Sequence, residues 1–332
     1  MKKILIIQTA SLGDVILATP LIEKLHHFFP KAKIDFLVKN GSETLLRNHP
    51  YLRHLLVWDK SEKKYKNLLE LLRFVREEKY DLVVNTQRFA STGILTALSG
   101  ASYTTGFRKN PFSLFFTRRI EHKISADENG PHEIERNQKL VEPFTDSRLF
   151  KPRLYPSKHD DAKVSQYKTR QYITLSPGSL WFTKAFPEEK WTDFVRRIDS
   201  DLMVYFLGSE KEKTIIERII KNSGHANSLN LAGKLTLLES AALMRNAKMN
   251  YTNDSAPMHL ASAMNAPVAA VFCSTVPAFG FGPLSDISFI IETDEVLKCR
   301  PCGLHGKKSC PEKHFRCANR IDVKKLLSCL KN

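Results

Sequence analysis

The feature that most constrains this chain is a repeated alternation of short apolar runs with stretches of helical periodicity, present in both halves. Residues 3–8 form a continuous apolar run closing on Gln8, the pattern of a strand buried on both faces. A short loop, Thr9-Ala10-Ser11-Leu12-Gly13-Asp14, follows. Residues 15–29 then read as a helix, irregular at Pro20 and closed by Pro30. Residues 34–38, 55–58 and 82–84 are further strands, the last ending at Asn85. Between them Tyr65, Leu68, Leu69, Leu72 and Val75 recur at helical spacing. The second half opens with a strand at residues 172–175 and continues with strands at 203–207, 249–252 and 268–273. Helices between them begin near Pro187, Glu210 and Leu237. Such alternation predicts an open parallel α/β sheet in each half.

The length of 332 residues suits two domains. The polar, proline-punctuated stretch 145–170 reads as the connection, which divides the chain into residues 1–160 and 161–332. The segment 106–119 mixes Phe107, Phe112, Phe115 and Phe116 with Arg108, Lys109, Arg118 and Arg119. It reads either as a helix with its aromatic side on the core or as a contact for an acidic membrane surface.

Several classes drop out. The first apolar run ends too soon for a signal peptide, and Asp14 follows shortly after. No run reaches the roughly 18 apolar residues of a membrane-spanning helix. No G-x-G-x-x-G follows the first strand and no Walker A lysine motif occurs, so a dinucleotide dehydrogenase or P-loop kinase is disfavoured. The formal charge is +16, from 51 Lys and Arg against 35 Asp and Glu, which favours anionic partners. No nucleic-acid-binding signature accompanies it, so no nucleic acid is expected. Four of six cysteines, Cys299, Cys302, Cys310 and Cys317, crowd near the C-terminus. That is no secreted disulfide framework, and it points to the cytoplasm. The C-x2-C start admits a structural metal, with His305 and His314 as further ligands. Packing of a small reduced subdomain is the favoured reading.

Three loops carry chemistry. Asp14 follows the first strand, where ligands of open α/β sheets bind. It is either a base or a capping carboxylate. Ser176-Pro177-Gly178-Ser179 follows the first strand of the second half, and its small residues leave room for a phosphate. Lys184 comes shortly after and can neutralise a pyrophosphate, or is one more solvated lysine. Asn253-Asp254-Ser255-Ala256-Pro257-Met258-His259 joins a strand to a small-residue helix whose N-terminus favours phosphate. Ser255 can donate to a phosphate oxygen. Asp254 suits positioning rather than contact, because like charges repel. His259 lies one turn further in, where core packing competes with ligand contact.

Together these segments resemble the ADP-heptose:lipopolysaccharide heptosyltransferases, glycosyltransferase family 9. The likeness runs from residues 8–16, through residues 176–179 and 184–187, to residues 253–261 and the cysteine-rich block 299–317. The resemblance implies the GT-B architecture, two Rossmann-like domains facing across a central cleft. Residues 1–160 would bind the acceptor, the lipopolysaccharide inner-core glycolipid. Residues 161–332 would bind a nucleotide-sugar, ADP-heptose. The implied reaction is inverting transfer of heptose, with no cofactor or metal required. Asp14 would act as the base and Lys184 would stabilise the leaving diphosphate. Ser176, Gly178, Ser179, Asp254, Ser255, Ala256, Met258 and His259 would surround the donor. The final segment, residues 323–330, would cross back onto the first domain. A peripheral position on the inner face of the cytoplasmic membrane would bring the enzyme to its acceptor. This chain has Asp254-Ser255-Ala256-Pro257 where the family often has Asp-Thr-Gly, and Pro257 removes a backbone donor. A different nucleotide-sugar, a nucleotide-sugar epimerase of similar fold, and a non-catalytic nucleotide or glycolipid binder are the competing readings.

Overall fold

A computed structural model describes residues 1–126 and 130–331 of the chain. Its residues cluster into two units. The first comprises Met1–Ile124 and Pro131–Tyr155, and the second is built from Pro156 onward. The helix Lys158–Val164 straddles residue 160 and is capped by Ser157, so the chain enters its second unit a few residues before that point.

Among the described residues each unit holds a six-stranded parallel sheet. The first contains β1 (Lys3–Ile7), β2 (Lys33–Lys39), β3 (Leu52–Trp58), β4 (Leu82–Asn85), β5 (Tyr103–Phe107) and β6 (Arg118–Ile120). Their order is β3-β2-β1-β4-β5-β6. The second contains β7 (Tyr172–Ser176), β8 (Met203–Phe206), β9 (Ser228–Asn230), β10 (Asn250–Asn253), β11 (Val268–Val271) and β12 (Ser288–Ile291). Their order, β12-β11-β10-β7-β8-β9, is the same winding seen from the other edge. Both are doubly wound Rossmann-like sheets, as the alternation predicts. In each, the order reverses beside the first strand: between β1 and β4, and between β7 and β10. The crevice at the carboxyl ends of those strands is where such sheets bind ligands.

The strands form where the apolar runs predict them. The central strand β1 is buried from Ile4 to Ile7, and register with β2 and β4 pairs Ile4 with Ile34 and Leu82. In the first unit Leu5, Ile7, Leu37, Trp58, Val75 and Val83 pack one core cluster. In the second, Ile173, Leu175, Trp191, Phe194, Tyr251 and Val271 pack another.

Two expectations are corrected. The first helix runs Leu12–Phe28, not from residue 15, because Ser11 caps it with a reciprocal capping box. Gly13 and Asp14 therefore belong to its first turn rather than to a loop, and Pro20 sits mid-helix. The segment 106–119 is not a helix. It is the end of β5, a loop with one 3-10 turn at Ser113–Phe115, and the start of β6. Pairing of Thr105–Phe107 with Arg118–Ile120 holds both ends of the segment extended, which leaves room only for that 3-10 turn. The C-terminal segment packs into the second unit. Ile321, Val323, Leu326 and Cys329 join the second unit's core, and the Tyr251 hydroxyl donates to the Leu326 carbonyl at 2.9 Å. No helix among the described residues is long and apolar enough to cross a membrane.

Candidate active site

In the second unit, three loops meet at the carboxyl edge beside the β7–β10 reversal. The residue that ties them together is Asn253, the last of β10, which is fully buried. Its Nδ2 donates to the carbonyls of Pro177 at 2.7 Å and Gly178 at 3.1 Å. Its Oδ1 accepts from the Phe186 amide at 2.9 Å. One amide side chain thus holds the loop after β7 and the segment carrying Lys184. In the sequence Asn253 stands only as the first residue of its motif, with no role of its own. A polar residue ending a parallel strand was the available signal.

Lys184 lies in the 3-10 turn Phe182–Lys184. Its Nζ meets Asp254 Oδ2 at 2.7 Å, with both side chains largely buried. The same Asp254 oxygen accepts from the Thr275 hydroxyl at 2.6 Å, and the Asp254 amide donates to the Val271 carbonyl. The lysine is therefore no loose surface cation. It is paired, and the carboxylate that pairs it is itself held by Thr275, in the loop after β11. Such a pair holds a positive charge at one point without conformational searching.

Lys184 has a second support in the cysteine-rich segment. The Thr183 amide donates to the Lys307 carbonyl at 3.1 Å, and the Lys307 amide donates to Thr183 Oγ1 at 2.7 Å. The Ser274 hydroxyl donates to Thr183 Oγ1 at 3.0 Å, and the Cys302 amide donates to the Ser274 carbonyl. Gly306, at φ +73°, lets this segment approach: a Cβ there would lie 2.8 Å from Lys184 Cγ and 3.0 Å from Trp181 Cβ. Arg300 anchors the other end, donating to the carbonyls of Cys273 and Thr275 and pairing with Glu292. Thr275, Ser274, Gly306 and Arg300 went unnoticed in sequence because each acts across tens of residues or more.

The remaining donor-side residues differ in what they can offer. Ser176 ends β7, and its buried Oγ has no hydrogen-bond partner among the described residues. Ser179 Oγ accepts from the Trp181 amide at 3.3 Å. Gly178 does not leave an open cradle. The carboxylate of Glu212, held by the Ser209 amide and hydroxyl, occupies the space a side chain would take. Ser255 is the N-cap of the helix Ala256–Ala263 and makes no side-chain cap bond there. Ala256 and Pro257 open the helix, and Pro257 has no amide proton to offer. The Met258 amide turns back to the Ser255 carbonyl at 3.1 Å, and Met258 and His259 are buried.

The four clustered cysteines are free thiols. Cys302 Sγ donates to the Cys299 carbonyl at 3.1 Å, and Cys310 Sγ accepts from the Phe315 amide at 3.4 Å. Burial pushes Cys317 up to about 11. Among the described residues no group of three or more His, Cys, Asp or Glu is arranged to hold a metal ion.

In the first unit, Asp14 sits at the carboxyl end of β1, at that sheet's own reversal. Its Oδ2 accepts from the Ser11 amide at 3.0 Å and the Ser11 hydroxyl at 2.6 Å. The carboxylate is half-buried and held in one orientation. The capping role exists, and it leaves the residue at the edge where a ligand would arrive. In the loop before the first helix, Thr9 accepts from Lys60 at its carbonyl and its hydroxyl, both at 2.8 Å. Burial first, then the charges of Lys39 and Lys64, lower Lys60 to about 8.

Residues 68–314 match the family model described as glycosyltransferase family 9 (heptosyltransferase). The chain belongs to glycosyltransferase family 9. This family 9 chain is 25% identical over 351 aligned positions to lipopolysaccharide heptosyltransferase 1 of Campylobacter coli, an alignment covering 99% of this chain and 98% of the relative. Its fold superposes on that of E. coli ADP-heptose lps heptosyltransferase II with a TM-score of 0.78 at 22% identity, covering 100% and 99% of the two chains. A family 9 glycosyl transferase from Veillonella parvula gives 0.82 at 21% identity, covering 99% and 96%. The protein is thus a family 9 enzyme, a glycosyltransferase built from the two Rossmann-like units that make up the GT-B architecture. Lys184 and Asp254 fall within the matched residues, and Asp14 precedes them.

Proposed function

We propose that this enzyme transfers heptose from ADP-heptose to a hydroxyl of a lipopolysaccharide inner-core glycolipid, with inversion at the anomeric carbon. The observation that carries the donor half is the Lys184–Asp254 pair at 2.7 Å, fixed at the β7–β10 reversal by Asn253 and Thr275. A fixed cation there meets a diphosphate, and the first turn of the helix Ala256–Ala263 adds its positive end. Ser176 and Ser255 hydroxyls can donate to the donor. The Glu212 carboxylate against Gly178 repels phosphate and suits a sugar hydroxyl instead. The relatives' heptosyltransferase names support heptose as the sugar.

The chemistry needs one base and one charge sink. Asp14 takes the proton of the acceptor hydroxyl as that oxygen bonds to the anomeric carbon. The carbon–oxygen bond to the diphosphate breaks on the opposite face, and the electron pair leaves with ADP. Lys184 stabilises the negative charge that builds on the departing phosphate. Asp254 acts through Lys184, as a positioning residue. The acceptor's membrane origin supports a peripheral position on the inner face of the cytoplasmic membrane.

The test is a panel of ADP- and UDP-sugars with truncated lipopolysaccharide acceptors, comparing wild type, Asp14→Asn and Lys184→Met. Transfer from ADP-heptose that falls by about 10²-fold or more in each variant is expected. Transfer from a UDP-sugar alone, or full activity in Asp14→Asn, overturns the assignment.

A further inference from the structure

We propose that the loop joining β5 to β6 docks this protein on an anionic phospholipid bilayer, with Leu114 and Phe115 entering the interface and the flanking cations meeting headgroup phosphates. This rests on the peripheral membrane position proposed above and names the surface that makes the contact; it does not depend on the transfer chemistry.

The loop is short for a connection between parallel strands, and it is stiff. Asn110, 2% exposed, donates to the carbonyls of Gln87 at 3.0 Å and Phe89 at 3.1 Å and accepts from the Phe112 amide. The Ser113 hydroxyl donates to the Arg108 carbonyl. The Phe116 ring lies over Gly106, where a Cβ would come within 2.6 Å of it. Thr104 and Thr117 exchange bonds across the base. From this rigid base Leu114 and Phe115 project 75% and 71% exposed, consecutive in sequence. A rigid loop that buries one phenylalanine of a pair and exposes the other leaves apolar area that its own unit does not cover.

The charge around the tip selects the occupant. Arg108, Lys109, Arg118 and Arg119 are all exposed. No acidic residue occurs between Gly106 and Ile120, and none of the four cations has an ion pair among the described residues. Arg108, Lys109, Arg119, Ser113 and Leu114 line an open hollow of about 410 Å³. Apolar side chains ringed by unpaired cations match a surface that is anionic outside and hydrocarbon beneath. A second copy of the chain would bring eight like charges together at the same contact. A soluble polyanion would satisfy the cations and leave Leu114 and Phe115 in water.

The experiment uses the full chain with vesicles of phosphatidylcholine alone and with about one third phosphatidylglycerol. Co-sedimentation and the emission of Phe115→Trp are read together. The expected result is binding to the anionic vesicles only, weakened by salt, with a blue shift of the Phe115→Trp emission. Leu114→Asp with Phe115→Asp lowers binding by about tenfold or more, and Arg118→Gln with Arg119→Gln by roughly thirtyfold. Donor hydrolysis in the tip variants stays at the wild-type rate, which separates loss of docking from loss of fold or chemistry. Equal binding by wild type and the tip variant overturns the proposal, as does an unshifted Phe115→Trp emission. A dimer in the absence of vesicles that the tip variant abolishes, with vesicle binding unchanged, assigns the patch to a second copy and overturns it too.

Discussion

Replacing Asn253 with alanine separates a structural staple from a ligand contact. The side chain is fully buried and makes three hydrogen bonds, two donated and one accepted. Alanine leaves the Phe186 amide and two carbonyls without that partner. At about 1 kcal/mol net for each bond, the second unit loses about 3 kcal/mol. For a unit of this size that corresponds to a fall in Tm of roughly 6–12 °C. Calorimetry of the full chain reads it as an earlier transition. The released segments carry Pro177, Gly178 and, two residues before Phe186, Lys184. The donor KM should therefore rise while the acceptor KM holds. Asn253→Asp is the sharper probe: it keeps an acceptor for Phe186 but turns a carboxylate towards two carbonyl oxygens. It should cost at least as much as alanine. A Tm shift under about 2 °C for alanine, or an aspartate variant as stable as wild type, refutes the staple.

Three further outcomes follow from the geometry. Ser11→Ala removes the cap of the first helix but keeps Asp14, so it should cost about 1 kcal/mol in thermal stability and leave transfer nearly intact. Asp14→Asn should do the reverse, and equal activity loss in the two would assign Asp14 to capping alone. Gly306→Ala places a Cβ against Lys184 and Trp181 at a positive φ. It should cost about 1–2 kcal/mol and lower kcat/KM for the donor by displacing Lys184, although Gly306 itself meets no ligand. Lys60, lowered to about 8 by burial and then by Lys39 and Lys64, binds a proton less readily folded than unfolded, where its value is 10.5. Between those pH values the unfolded chain holds more protons, so this residue makes stability rise with pH across that window. Urea midpoints from pH 7 to pH 10.5 should show the rise in wild type and not in Lys60→Met, and parallel curves refute the assignment.

The strands with continuous apolar runs were legible one by one, because burial on both faces leaves a contiguous mark. Strands β5, β6, β9 and β12 were not predicted. β6 and β9 have three residues each, and Arg118-Arg119 and Ser228 do not read as sheet. They form because neighbouring strands offer a ladder: Arg118 pairs with Thr105, and Ser228 with Val204. The aromatic-basic segment was ambiguous for the same reason. Its aromatics are spaced so that either a helix or a turn could bury some of them, and only the contact of Phe116 with Gly106 decides which.

At the site, local chemistry was readable and its wiring was not. Asp14, Lys184 and Asp254 stand out as charged residues in the segments that follow β1, β7 and β10, which is enough to expect them at a sheet edge. The sequence by itself determined that edge, because strand and helix alternate in fixed order and a loop after a parallel strand must emerge at the carboxyl end. The tertiary structure alone decided that Lys184 answers to Asp254, that Thr275 holds Asp254, that Asn253 staples two loops, and that Gly306 admits the cysteine-rich segment. Those contacts join residues 21 to more than 120 positions apart. Periodicity carries no information across such distances, whereas the winding of the sheet brings the ends of β7, β10 and β11 side by side and lets hydrogen bonding select the partners.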